Sequence, residues 1–217
     1  MSELIWHRDP QGSEAWLQAR KGVITASRFK DARDKLKAGA PSGKQLAYAN
    51  DIARERCGGT AAAIFQNAAM RFGTEQEPIA RMELEARKGY LVQEAGFAVT
   101  HDGAFGVSVD GLVGADGIIE IKTMVSSDTL FTAVVDGDVS AYRDQCIGAL
   151  WLTGRQWVDL VLWAPDLSSI SRDMTVIRIE RNQAEIDALE ADLLTFWRRV
   201  QSLEAKLRGH NELALAA

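Results

Sequence analysis

The residues whose spacing carries chemistry are Asp110, Glu120 and Lys122, in Ser108-Val109-Asp110-Gly111-Leu112 and Gly117-Ile118-Ile119-Glu120-Ile121-Lys122-Thr123. From Ile118 to Lys122 apolar and polar residues alternate as in a half-buried strand. That sets Glu120 and Lys122 on one face and turns Ile119 and Ile121 toward a core. A hairpin return through Gly114-Ala115-Asp116-Gly117 would bring a strand ending at Asp110 beside Glu120. Two carboxylates and an amine then meet. Such carboxylates, with the Ile121 carbonyl as a further hard oxygen, suit a magnesium ion, and a lysine beside them manages an attacking water. The chemistry would be hydrolysis of a phosphodiester. The plainer reading is a solvated strand face with a surface ion pair. Glu77, in Gly73-Thr74-Glu75-Gln76-Glu77-Pro78, adds an acid on a preceding helix. Glu75 competes for that role, and both also suit a helix amino terminus.

The elements that must position these residues alternate helix and strand. Ser13 caps a short helix that stops before Gly22, and a second helix begins near Thr25. Residues 42 to 57 and 74 to 88 have helical composition, the latter ending at Gly89. Strand-like runs follow at Tyr90 to Thr100, Phe105 to Asp110 and Gly117 to Thr123, with turns at His101-Asp102-Gly103 and Ala115-Asp116-Gly117. A helix over Ser140 to Thr153 precedes strands at Trp157 to Trp163 and Met174 to Glu180. The last helix, about 182–208, repeats apolar residues at three and four: Ile186, Leu189, Leu193, Phe196, Val200, Leu203 and Leu207. It closes its own domain or forms an intermolecular seam. The order predicts an α/β fold with a central mixed β-sheet flanked by helices.

At 217 residues and 47% hydrophobic composition, the chain reads as one domain over 1–217, folded except at its first residues and after Arg208. Charges among the first nine residues exclude a signal peptide there, and no apolar run spans a bilayer. The expectation is a soluble, cytoplasmic protein with no membrane partner. Cys57 and Cys146 cannot form a disulfide framework or hold an iron–sulfur cluster, and read as buried thiols. No Gly-Lys-Ser phosphate loop supports ATP use, and Gly106-Val107-Ser108-Val109-Asp110 lacks the second glycine of a nucleophile elbow. His101 reads as a turn residue. The net charge of −5 argues against binding by phosphate neutralisation alone. Yet Arg20, Lys21, Arg28, Lys30, Arg33, Lys35, Lys37 and Lys44 crowd the first fifth of the chain, which suggests one basic face.

Several of these blocks together resemble the bacteriophage lambda exonuclease family, also called YqaJ-like recombinases. They are Trp16-Leu17-Gln18-Ala19-Arg20-Lys21-Gly22-Val23-Ile24-Thr25-Ala26-Ser27, Phe72-Gly73 with Glu77, Ser108-Val109-Asp110-Gly111, Glu120-Ile121-Lys122, and Ala141-Tyr142 through Gln145 to Trp151. They occur in the family's order over roughly residues 13 to 180. The resemblance implies a restriction-endonuclease-like PD-(D/E)xK core. It also implies a Mg2+-dependent 5′ to 3′ exonuclease on linear double-stranded DNA, with Mn2+ as a substitute, from a phage or prophage recombination system. A 3′ single strand would remain for a single-strand annealing protein, and the enzyme would be a ring-shaped homotrimer. Carried over by residue, Asp110, Glu120 and the Ile121 carbonyl are metal ligands, Glu77 is a further acid and Lys122 is the catalytic lysine. Arg20, Ser27 and Ser108 would receive a terminal 5′-phosphate, and Gln145 matches an active-site glutamine. A second glutamine of the pattern is Ile147 here, and Val109 stands where a proline is usual. Met70 falls at the place of an apolar wedge, though a core methionine fits too. Lys37 and Lys44 are candidates for duplex-backbone contacts, or ordinary solvated lysines. An endonuclease with the same core, or a catalytically silent module that binds DNA ends, are the alternatives.

Overall fold

A computed structural model describes residues 4–60 and 67–214. The described chain falls into two compact units, each with its own sheet. The first gathers residues up to 60, Gly96–Ser108 and the chain from Gln183. The second holds residues 67–95 and Val109–Asn182.

The first unit is built on four strands in the order β1 (Leu4–His7), β4 (Phe97–Thr100), β5 (Phe105–Ser108), β2 (Ile24–Thr25). β4 and β5 form a hairpin over the predicted His101-Asp102-Gly103 turn, where the Asp102 carboxylate accepts from the Thr100 hydroxyl and the Ala104 amide. Helix α1 (Glu14–Arg20) begins at Ser13, whose hydroxyl accepts from the Trp16 amide. Where a second helix was expected near Thr25, there is a 3-10 turn and then the one-turn α2 (Phe29–Ala32). Helix α3 (Gly43–Arg56) is capped by Ser42. Against it lies α7 (Gln183–Ala214), with Phe196 stacked on Tyr48 at 5.3 Å. Ile186, Leu189, Leu193, Phe196 and Val200 are all buried, so the repeating apolar face closes its own unit. Farther along, Leu207 is 51% exposed. Helical backbone continues past Arg208 to Ala214, where an unfolded tail was expected.

The second unit carries five strands in the order β3 (Val92–Gln93), β6 (Gly111–Val113), β7 (Gly117–Thr123), β8 (Trp157–Trp163), β9 (Met174–Glu180). β7 and β8 run parallel over seven register pairs and the other neighbours are antiparallel, so the predicted mixed sheet is this one. The crossover from β7 to β8 contains α5 (Ser127–Leu130), a π turn and α6 (Ser140–Thr153). The expected strand from Phe105 to Asp110 is split: β5 ends at Ser108 in one sheet, and β6 opens at Gly111 in the other. The hairpin across Gly114 is therefore β6–β7, and Asp110 is fixed to it by its amide donating to the Ile119 carbonyl at 3.1 Å.

β7 is buried on both faces, not one. Ile119 and Ile121 pack with Ala80 and Leu84 of α4 (Ala68–Lys88) and with Val161 and Trp163. The opposite face carries Ile118 and Glu120 under α6. Gly117 opens the strand because a side chain there would overlap the Trp157 indole. Helix α4 starts six residues earlier than predicted, since Asn67 caps it through the Met70 amide at 2.8 Å. It ends as expected at Gly89, in the left-handed region at φ 67°. Pro78 lies inside it and has no amide to donate four residues back, which leaves a missing rung directly after Glu77.

Candidate active site

The carboxylates, the lysine and the glutamine come together in the second unit. Asp110 Oδ2 accepts from the Ile121 amide at 2.6 Å, which clamps the loop before β6 onto the middle of β7. Glu120 is 3% exposed, and its Oε1 takes two donors: Lys122 Nζ at 2.8 Å and Gln145 Nε2 of α6 at 2.6 Å. Lys122 also lies 5.9 Å from the centroid of the Tyr142 ring. Glu120 and Lys122 thus do form an ion pair, but a buried one carried by a strand covered on both faces. The surface-pair reading is corrected.

The electrostatics favour a cation. Burial pushes the Asp110 carboxyl well above the ordinary range, and the Glu120 and Glu77 charges add to it. Burial likewise raises Glu77, against the pull of Arg81 and with Glu120 reinforcing the rise. For Lys122 burial opposes the charge, yet Glu120 and Asp110 outweigh it and hold the ammonium above its usual value. Three mutually repelling acids, with one ammonium and an Arg81 guanidinium that is shared with Glu94, are short of positive charge.

The donor set matches this need. Asp110 Oδ1 and Glu120 Oε2 meet no hydrogen-bond donor among the described residues, while Oδ2 and Oε1 are committed. Two such oxygens and a backbone carbonyl suit a hard divalent ion. Side chains alone would not suffice: among the described residues no group of three His, Cys, Asp or Glu is disposed to hold a metal. Glu77 therefore stands as a neighbouring acid outside a ready cage. Glu75, its competitor, is exposed. Met70 is 46% exposed in the first turn of α4, so the core reading is corrected. Ile147 is buried and fills the α6 side of the sheet where a polar glutamine would need partners.

Of the phosphate candidates, all in the first unit, Arg20 and Ser108 come together. Arg20 Nη1 donates to the Ser108 hydroxyl at 3.0 Å, and its guanidinium lies 4.3 Å from the Trp16 ring centroid and 5.1 Å from that of Phe97. Burial pushes that guanidinium down to about 10, since no carboxylate faces it. Ser27 is exposed, with its hydroxyl 3.3 Å from that of Thr25. A half-buried arginine with a hydroxyl and no acid is a site for an anion. Lys37 is exposed, whereas Lys44 pairs with Asp31 at 2.8 Å.

Sequence reasoning missed Arg81, which pairs with Glu77 at 3.2 Å. Its spacing of four residues on one helix was the available signal. It also missed the aromatic shelf of Trp16 and Phe97, which no local pattern joins.

Residues 15–156 match the family model of the YqaJ-like viral recombinase domain. Among solved structures, an alkaline exonuclease (LHK-Exo) from Laribacter hongkongensis is 33% identical, with a TM-score of 0.81 over 93% of this chain and 100% of that one. The same enzyme in complex with dAMP gives 0.82 at the same identity and coverage. A phage-related exonuclease from Haemophilus somnus, 16% identical with a TM-score of 0.61 over 85% and 96%, shares the fold. No curated protein matches. The expected restriction-endonuclease-like fold, with mixed sheets between helices, is the one found. With that fold, a match spanning most of the sequence and a relative at 33% identity over its whole length, the chain belongs to the family of YqaJ-like viral recombinase domains.

Proposed function

We propose that the chain is a magnesium-dependent exonuclease, its 217 residues acting as one nuclease domain. It degrades the 5′-ended strand of linear double-stranded DNA and leaves a 3′ single strand for recombination by annealing. The observation that carries this reading is Glu120: a buried carboxylate with Lys122 and Gln145 on one oxygen and the other uncommitted, beside Asp110. Support also comes from the 33% identical relative, which is named an alkaline exonuclease and was crystallised with dAMP.

Asp110, Glu120 and the Ile121 carbonyl would hold the ion. When bound, magnesium supplies Lewis acidity to the phosphodiester and lowers the pKa of a coordinated water. Gln145 keeps Glu120 oriented through its amide. Lys122 is charged, so it acts as a donor that positions the attacking water and stabilises the extra negative charge at phosphorus. Arg20, Ser27 and Ser108 receive the terminal 5′-phosphate, Met70 meets the end base pair, and Lys37 and Lys44 track the backbone. The family resemblance supports a homotrimeric ring, an annealing partner and a place in phage recombination in the host cytoplasm. Among the described residues no helix is long and apolar enough to cross a membrane.

The test is a linear duplex with a 5′-phosphate, labelled on one strand at a time, in magnesium or chelator, beside Lys122→Ala and a closed circle. The expected result is loss of the 5′-ended strand in magnesium only, with the circle intact. The variant should be slower by about 10²–10⁴-fold. Cutting of the circle would assign an endonuclease, and no hydrolysis with any divalent metal would leave a DNA-end-binding module.

A further inference from the structure

Arg81 lies one turn beyond Glu77 on α4, and its guanidinium is shared between two acids. Nη2 meets Glu77 Oε1 at 3.2 Å, and Nη1 pairs with Glu94, whose side chain is 84% exposed. The arginine side chain itself is only 12% exposed. Its Nε is buried and has no hydrogen-bond partner among the described residues. A guanidinium that leaves one buried donor unused is placed for its two carboxylates and not for its own hydrogen-bond satisfaction. Glu77 needs such a hold. Its helix packs Ala80 and Leu84 on Ile119 and Ile121, the residues on either side of Glu120, and the charges of Glu120 and Asp110 repel a carboxylate held there.

We propose that Arg81 is a positioning residue for the divalent-metal site: it keeps the Glu77 carboxylate within the acidic cluster of Asp110 and Glu120, with Glu94 anchoring the guanidinium from the solvent side. This rests on the reading of that cluster as a metal-dependent nuclease centre. The sign of the effect separates positioning from simple charge. A cation near the site repels a divalent ion, so on charge alone its removal tightens metal binding. Loss of a held carboxylate weakens it.

The experiment is calorimetric titration of Mg2+ and Mn2+ into DNA-free protein, with melting curves and the Mg2+ dependence of DNA digestion measured in parallel. Arg81→Gln is expected to weaken metal binding by about tenfold. Arg81→Lys, which keeps charge but not the fork, should recover part of that. Arg81→Gln with Glu77→Gln should bind no more weakly than Glu77→Gln alone, because both remove one coupled unit. Unchanged or tighter binding in Arg81→Gln, or additive losses in the double variant, would overturn the proposal. Should Arg81→Gln fail to fold, Arg81→Lys and Glu94→Gln carry the test, and wild-type affinity in both overturns it. A wild-type protein that neither binds Mg2+ nor digests DNA sinks the nuclease reading itself. Normal digestion with an unaltered Mg2+ profile in Arg81→Gln sinks only the role of Arg81.

Discussion

Arg20 is flanked by two aromatic rings and has the Ser108 hydroxyl as its polar partner, so its charge is held at a cost that an anion would offset. A short duplex with 5′-phosphates should therefore raise the melting temperature more than one with 5′-hydroxyls. At a hundredfold excess over its Kd the gain is about 2.7 kcal/mol. Arg20→Gln should remove the difference between the two duplexes; a difference that survives would place the phosphate elsewhere. Cys146 makes a second residue-scale prediction. Burial pushes its thiol from the usual 9 up to about 12, with the Glu120 charge adding to the rise. The unfolded chain ionises first, so the native state loses stability from pH 9 upward, through the folded value. Cys146→Ala should flatten the loss of stability between pH 8 and 10.5 by on the order of 1–2 kcal/mol, measured by urea unfolding at each pH. At pH 8 the native thiol should resist alkylation. Among site residues, Asp110, Glu120 and Lys122 could be read because strand alternation and turn glycines are local signals. Gln145 needed the family pattern, and Arg81 needed the helix face that distinguishes Glu77 from Glu75.

β8 and β9 were legible to the residue because their apolar runs are bounded by turn residues and lie within a single sheet. The split after Ser108 was not, since alternation looks the same whichever sheet a strand joins. The start of α4 was hidden by Gly73 and Pro78, while its cap, Asn67, precedes both. A different kind of feature joins the far strands. Asp159, 1% exposed on β8, takes Arg178 of β9 at 2.7 and 2.9 Å and the Tyr90 hydroxyl at 3.0 Å. Arg178 also lies 3.8 Å from the Trp157 ring centroid. Asp159→Ala removes the acceptor shared by Arg178 and Tyr90 and, because the exposed arginine regains water, should cost about 1–3 kcal/mol in chemical unfolding. Tyr90→Phe removes one hydrogen bond and should cost about 1 kcal/mol. A loss below 1 kcal/mol for Asp159→Ala would mean that the network is decorative.

For the whole molecule, the basic amino-terminal fifth is less basic in the fold than in the sequence. Arg33 and Lys35 pair with Asp192, Arg28 and Lys44 pair with Asp31, and Arg20 is half-buried. Lys30 and Lys37 are exposed with no ion pair among the described residues. A net charge of −5 is thus compatible with a nucleic-acid partner held at a few points and not over a broad basic face. Duplex affinity measured against salt should show this. If Lys37 meets a phosphate, Lys37→Ala lowers the slope of log K by about 0.9. Lys44→Ala should lower it less, because Asp31 already takes part of that charge. Equal slopes for wild type and Lys37→Ala would remove that lysine from the interface.

β7, covered on both faces, paired with β8 along its whole length and with β6 over Gly117–Ile119, has a further consequence for how the protein ages and recovers. Its amides should be among the slowest in the sheet to exchange with deuterium, opening only when that sheet unfolds as a unit. The peptide frame around Glu120 and Lys122 would then outlast the loss of any bound ion. A chelated sample would keep its scaffold through storage, and on the metal-dependent reading proposed above an ion returned to it would bind with no refolding step.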